Sequence, residues 1–186
     1  MNGQRFNLSQ VHIDYPHIPA LDWFPHTNAQ LVRLDLQRSG KQIAYIPGSG
    51  DKLPATLRQL GYQVTELDTR NLSTQTLSHF DAIITGIRAY NVDQHFAQAH
   101  PALMNYVQAG GILLVQYNTL SPKPPIPLGP YPFTISRDRV SEEDALVRLL
   151  DPQHKLLNYP NHITAEDFND WVQERGLYFA KDIDPV

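Results

Sequence analysis

The sequence predicts an α/β fold in which an open parallel sheet is flanked by helices. Short apolar runs typical of buried strands alternate with segments in which Leu recurs at helical intervals, and glycines separate the two. With 186 residues, 41% of them hydrophobic, the chain is long enough for one domain with a sizeable core. Parallel strands need crossover connections, so this alternation favours a parallel sheet with both faces covered.

Residues 1–40 are predicted to form an N-terminal arm or edge strand packed on the domain, which itself spans residues 41–186. Prolines follow Tyr15, Ile18 and Phe24 in this segment. Because proline fixes its own φ and has no N–H to donate, the segment is unsuited to the centre of a sheet.

The domain begins with a predicted buried strand over residues 43–46, which is followed by the turn Gly48-Ser49-Gly50. A helix is expected next, because three Leu residues recur at helical intervals. Asp51 is predicted to be its N-cap and Gly61 the residue that ends it.

The same alternation continues as far as residue 120. Strands are predicted over residues 62–67, over residues 80–85 and from Ile112, with a helix over about residues 92–108 before the last of them. The next twelve residues, from Ser121 to Pro132, contain six prolines and indicate a stiff loop. Ser141 and Thr164, each with Asp three positions later, predict capping boxes at two further helices.

Composition excludes several classes of function. The chain has no cysteine, a formal charge of -4 and no clustered Lys or Arg. We therefore expect no thiolate chemistry, no nucleic-acid partner, no membrane span, no cofactor and no metal. The first residues lack the basic start and apolar core of a signal peptide, which leaves the compartment open.

Candidate binding residues follow the predicted strands, because ligands of open parallel sheets bind at the carboxyl ends of the strands. Amide, phenol and guanidinium groups there can hydrogen-bond a polyol or a carboxylate without reacting with it. The alternatives are that residues 48–51 form a plain turn and that Arg88 ties its loop to its own chain. The candidates in this group are Gly48, Asp51, Arg88, Tyr90, Asn91, Gln116, Tyr117 and Asn118.

A second candidate group lies near the end of the chain. Asp167, Trp171, Glu174 and Arg175, with Tyr178, form one stripe if a helix runs through them. The stripe either faces a ligand or is an ion-paired helix that packs its aromatic residues on the sheet.

Catalytic and metal-binding patterns are absent from the sequence. No serine lies in a G-x-S-x-G turn, and His95 and His100 are five residues apart and do not share a helical face.

Several stretches together resemble one family of domains. "FDAIITGIRAYN", "GGILLVQYNT" and "NHITAEDFNDWVQERGLYF" are similar to the class I glutamine amidotransferase-like domain found C-terminal in bacterial PIG-L (LmbE-type) deacetylase proteins. The resemblance covers the chain from about residue 10 to the end. It implies a flavodoxin-like, class I glutamine amidotransferase-like open sheet that lacks its last strand.

The resemblance also carries functional expectations. In amidotransferases the strand after the second long helix delivers a catalytic cysteine, and Tyr117 stands at about that position here. A phenol is too weak an acid to replace a thiolate as acyl acceptor at neutral pH, so we expect no glutaminase activity. The resemblance implies a non-catalytic accessory domain whose partners are the other domains of a parent deacetylase and a sugar or glycan. An exported, periplasmic parent is one alternative, and the compartment stays open.

Two other functions stay open. A hydrolase would use Asp51, Asp167 or Glu174 as a general acid or base, which requires a raised pKa. An interaction module would dock the parent protein through the proline-rich loop and the N-terminal arm.

Overall fold

The computed structural model describes residues 7–28, 33, 35–120, 126–169 and 176–183. The chain divides into two units, Met1–Leu36 and Gln37–Val186. In the first unit, strand β1 (Val11–Ile13) pairs antiparallel with β2 (Leu21–Trp23). This ribbon is largely exposed.

The second unit contains a four-stranded parallel sheet, which confirms the predicted α/β class. Its strands are β3 (Gln42–Ile46), β4 (Gln63–Glu66), β5 (Ala82–Thr85) and β6 (Ile112–Val115), in the spatial order β4-β3-β5-β6. The chain runs outward from β3 to β4 and then returns past β3 to β5 and β6. The direction of connection therefore reverses between β3 and β5.

Helices connect the strands of the sheet. They are α1 (Leu53–Gln59), α2 (Thr74–Leu77), α3 (Ala89–Val92) and α4 (Phe96–Gln108), with a 3-10 turn over Thr69–Asn71 before α2. Gly61 follows the end of α1 at φ +86°, which confirms its predicted role. The N-cap position of α1 belongs to Lys52 instead of Asp51, although the Asp51 carboxylate still accepts the Leu53 N–H at 2.9 Å.

Alternate residues of the strands pack on opposite faces of the sheet. Ala44, Ile46 and Ile83 are fully buried in a cluster with residues of α2 and α4, including Leu77 and Leu103. Ile43, Tyr45 and Ile84 form the other cluster, against which Leu53 and Leu57 of α1 pack. Burial of both faces explains why the strands read as nearly continuous apolar runs.

The helix predicted over residues 92–108 is two helices. Asp93 has extended backbone angles at the end of α3, and its carboxylate accepts the His95 N–H at 2.8 Å. A short acidic side chain that bonds the backbone in this way competes with helical hydrogen bonds, which ends α3 and starts α4.

The helix predicted after Ser141 is wrong, because residues 141–150 contain no helix. Leu146 is 97% exposed and Leu150 is 84% exposed. A helix of nine or ten residues is marginal in water unless its apolar face packs on the protein. The capping sequence alone does not supply that packing.

The described residues after 133 form little regular structure. Helix α5 (Lys155–Asn158) is short, and β7 (Thr134–Ile135) pairs antiparallel with β8 (Ala180–Lys181). Thr164 caps a 3-10 turn over Ala165–Phe168 with the predicted capping box.

Strand β6 is the outermost strand on its side of the sheet. Ile112 and Leu114 are 63% and 49% exposed, although their partners Ala82 and Ile84 in β5 are better covered. The further strand that the family resemblance implies stays a prediction. Among the described residues, no helix is long and apolar enough to cross a membrane.

Candidate functional site

The loops that follow β3, β5 and β6 meet at the carboxyl edge of the sheet. The Ser49 N–H donates to the Ile87 carbonyl at 2.7 Å, and the Arg88 N–H donates to the Tyr117 carbonyl at 2.7 Å. These two bonds join the three loops in series. Five of the candidate residues therefore lie in one connected layer: Gly48, Asp51, Arg88, Gln116 and Tyr117.

The crevice between β3 and β5 is closed by this layer. A Cβ added to Gly48 would lie 2.1 Å from the Ile87 carbonyl oxygen, and one added to Gly86 would lie 2.4 Å from the Tyr45 hydroxyl oxygen. Such spacings leave no room for a side chain, which explains the two glycines. The position at which open α/β sheets usually hold a ligand is filled here by backbone.

Asp51 joins the three strand ends through its carboxylate. It accepts the Tyr45 hydroxyl at 2.6 Å, the Gln116 amide at 3.3 Å, and the N–H groups of Leu53 at 2.9 Å and Ile87 at 3.3 Å. Burial by itself raises the pKa of Asp51, but these hydrogen bonds outweigh it and hold the pKa below its ordinary value of 3.8. The Asp51 carboxylate is thus an ionised structural acceptor.

Arg88 is held in the left-handed conformation, at φ 58° and ψ 23°, immediately before α3. This conformation costs a non-glycine residue about 1–2 kcal/mol. The guanidinium is exposed, and no described residue forms a hydrogen bond or ion pair with it. The predicted alternative was that Arg88 ties its loop to its own chain. The backbone N–H of Arg88 makes such a connection, through its bond to the Tyr117 carbonyl, and its side chain does not make one to any described residue.

Tyr117 lies at the surface beside a second aromatic residue. Its ring centroid is 6.1 Å from that of Tyr178, with the rings tilted by 41°, and Tyr117 is 41% exposed. Tyr178 also has a positive φ, of 59°. The pair forms part of the protein surface at the edge of the sheet.

Asn91 binds the loop after β6. Its amide nitrogen donates to the Thr119 carbonyl at 2.9 Å, and its amide oxygen accepts the Thr119 N–H at 2.8 Å. This reciprocal pair fixes Thr119 beside α3, so the Asn91 amide has a structural role.

Asp167 and Tyr178 are the described residues of the second candidate group, and Tyr178 lies beside Tyr117 at the strand ends. Asp167 accepts the Thr164 N–H at 2.7 Å as part of the capping box. Trp171, Glu174 and Arg175 lie outside the described residues.

A cavity of about 870 Å³ lies beside the closed crevice. One wall is polar and comes from residues 90–100 and from the loop after β6, with Tyr90, Asn91, His100, Asn118 and Thr119 among its residues. A second part of the lining, called here the apolar wall, comes from residues 126–135 and is mainly apolar. It includes Ile126, Pro127, Leu128, Pro132, Phe133 and Ile135.

Three buried polar atoms on this cavity's lining residues have no hydrogen-bond partner among the described residues. They are the Tyr90 hydroxyl oxygen, His100 Nδ1 and Asn118 Oδ1. A fourth unpartnered atom, Thr85 Oγ1, belongs to a residue that does not line the cavity. An unpaired buried polar atom costs about 1–3 kcal/mol. Because each of these three atoms is itself buried, a ligand in the cavity can bond one of them only where its side chain turns towards the ligand.

The protonation of these groups follows from their surroundings. Burial raises the pKa of the Tyr90 phenol and lowers the pKa of the His100 imidazole below its ordinary value of 6.5. The two rings meet edge to face, with centroids 6.1 Å apart. The Asn118 amide nitrogen donates to the Gln116 carbonyl at 2.8 Å, which leaves the amide oxygen as an acceptor. These three groups are therefore neutral near pH 7.

Sequence reasoning found only part of this cavity. Tyr90, Asn91 and Asn118 were predicted from the strand ends, whereas His100 was considered only as a metal ligand and rejected. The proline-rich stretch was predicted as a loop, and part of it supplies the apolar wall. The six prolines of this stretch, with Ile126 and Leu128 among them, are the signal that an apolar surface is formed there.

A second, smaller cavity of about 350 Å³ lies near the end of β4 and carries acidic residues. Each carboxylate is already engaged: Asp68 with Arg70, Glu66 with Arg58, and Asp93 with the Thr69 hydroxyl and the His95 N–H. Within the described part of the chain, no three His, Asp or Glu residues are placed to hold a metal ion.

The chain was compared with models of protein families, with curated proteins and with solved structures, and no match was found in any of the three.

Proposed function

We propose that this chain is a non-catalytic, amidotransferase-like accessory domain that binds a small ligand, and that it belongs to a PIG-L (LmbE-type) N-acetylglucosaminyl de-N-acetylase protein. The sheet order supports the flavodoxin-like part of the proposal, because a reversal between the first and third strands of the sheet is typical of that fold. Tyr117 follows β6, where the resemblance places the amidotransferase cysteine.

The observation that carries the binding function is the large cavity itself, three of whose lining residues have a buried polar atom without a partner among the described residues. A volume of about 870 Å³ lies within the range of small-molecule sites, which combine apolar walls with a few polar groups. A carbohydrate fits this arrangement, because each sugar hydroxyl both donates and accepts hydrogen bonds and each ring has an apolar face.

Titration calorimetry with neutral mono- to trisaccharides, some of them N-acetylated, tests the binding function. Tyr90→Phe should weaken sugar binding by about 1–2 kcal/mol, since no described residue bonds the hydroxyl and we expect the ligand to supply its partner. Tyr159→Phe is the matched control, because Tyr159 is 65% exposed and does not line the cavity. Equal affinities of the two variants, or no binding at millimolar sugar, would count against the proposal.

The same titration distinguishes the cavity from the strand ends. If a sugar acid or glycan instead binds at the surface formed by Arg88 and Tyr117, then Arg88→Ala and Tyr117→Phe weaken its binding by about 1–3 kcal/mol. Tyr90→Phe would then leave the affinity unchanged.

A hydrolase that uses strand-end carboxylates is less well supported. A general acid needs a raised pKa, and the pKa of Asp51 is lowered by its hydrogen bonds. The docking function has one observation in its favour, namely that Tyr15 and Trp23 are 57% and 58% exposed. Pull-down of a separately expressed parent domain, compared between wild type and Trp23→Ser, tests it.

A further inference from the structure

The 870 Å³ cavity is lined by two stretches of the chain, one mainly polar and the other mainly apolar. Residues 90–100 and 118–119 supply most of its polar side chains, with Tyr131 and Thr134 the exceptions, whereas residues 126–135 supply most of its aliphatic and proline groups. A free sugar would use the first wall fully but would leave much of the second wall in contact with water. The space is therefore better matched to a molecule with one polar and one apolar part.

The charge of the ligand is limited by the lining residues. No Lys or Arg occurs among the residues that line the cavity within the described part of the chain. Asp93 supplies the one carboxylate there, and each of its oxygens already accepts a hydrogen bond, from the Thr69 hydroxyl at 2.6 Å and from the His95 N–H at 2.8 Å. An anionic head group would find no counter-charge and would lose its hydration.

We propose that the cavity binds a neutral amphiphile whose uncharged, hydroxyl-bearing head lies against residues 90–100 and 118–119 and whose apolar part lies along residues 126–135. The apolar part packs against Ile126 and Leu128, which themselves pack on the main core cluster. This inference rests on the proposed binding function and specifies its ligand class.

Three probes that share a head or a tail test the inference by calorimetry below their micelle concentrations. Octyl β-glucoside should bind at least about tenfold more tightly than methyl β-glucoside, since burial of two or three methylenes is enough for that ratio. Octyl sulfate, which keeps the tail and replaces the head by an anion, should bind more weakly than octyl β-glucoside. Leu128→Asn should reduce the ratio between the two glucosides, and Tyr159→Phe should leave it unchanged.

The outcomes separate this inference from the proposed function. Equal affinity for the two glucosides, or for octyl sulfate and octyl β-glucoside, overturns the amphiphile and leaves sugar binding in place. If the saccharides bind and octyl β-glucoside does not, the amphiphile is likewise overturned and sugar binding stays in place. If neither the panel nor the glucosides bind, both proposals fail. The comparison on the wild-type chain decides the matter even where Leu128→Asn does not fold.

Discussion

Gly48→Ala tests the closed crevice between β3 and β5. The added Cβ would lie 2.1 Å from the Ile87 carbonyl oxygen and 2.8 Å from its carbon, so the two loops must separate. That movement strains the packing by about 1–3 kcal/mol. It also endangers the bond of 2.7 Å from the Ser49 N–H to Ile87, worth about 1 kcal/mol. We expect the free energy of unfolding to fall by about 2–4 kcal/mol.

The assay is urea-induced unfolding with linear extrapolation. Gly129→Ala is the matched control, because a Cβ there meets no atom within 4 Å and the residue has no positive φ. The clash at Gly48 is refuted if the free energies of unfolding of Gly48→Ala and Gly129→Ala differ by less than about 0.5 kcal/mol, the usual range of a neutral surface substitution.

Three further predictions concern single residues of the same unit. Asp51→Asn should lower the free energy of unfolding by about 1–3 kcal/mol, because four donors lose a charged acceptor. Asp144→Asn, at an exposed residue, is the control, and an equal loss of stability in the two variants would contradict the prediction. The lowered pKa of His100 means that below pH 6.5 the unfolded chain binds a proton that the folded chain does not, so stability should fall as the pH drops from about 7 to about 5. Thermal melts of His100→Gln should lack that part of the slope, and an unchanged slope would show that other groups cause it. Arg88→Gly should raise the free energy of unfolding by about 0.5–1 kcal/mol. This is the strain that glycine relieves at the left-handed φ, minus the conformational entropy that glycine loses on folding. A loss of stability would contradict the prediction and indicate a stabilising contact of the Arg88 side chain.

The strands were predictable because a strand that is buried on both faces has apolar side chains at nearly every position. Residues 43–46 and 112–115 are apolar runs between glycines and polar residues, and each forms a strand. The segment after Ser141 has a capping sequence of the same quality as that at Thr164, yet residues 141–150 form no helix. Capping is local, whereas a short helix depends on packing that no local pattern records.

The candidate site was predicted only in part for a similar reason. The residues that follow β3, β5 and β6 do converge, as the strand-end rule requires. The sequence does not show that Gly48 and Gly86 allow the backbones to close on one another, which moves the available space to the side of α3 and α4. Whether a polar group such as Asn118 Oδ1 is left without a partner depends on three-dimensional contacts alone.

The most direct test of the account is to map ligand-induced shifts of backbone amide resonances on the chain with octyl β-glucoside. We predict saturable changes at His100, Asn118 and Thr119, and none at Ser49 or Ile87. Changes centred on Ser49 and Ile87 would show that the ligand enters between β3 and β5 and would contradict the closed crevice.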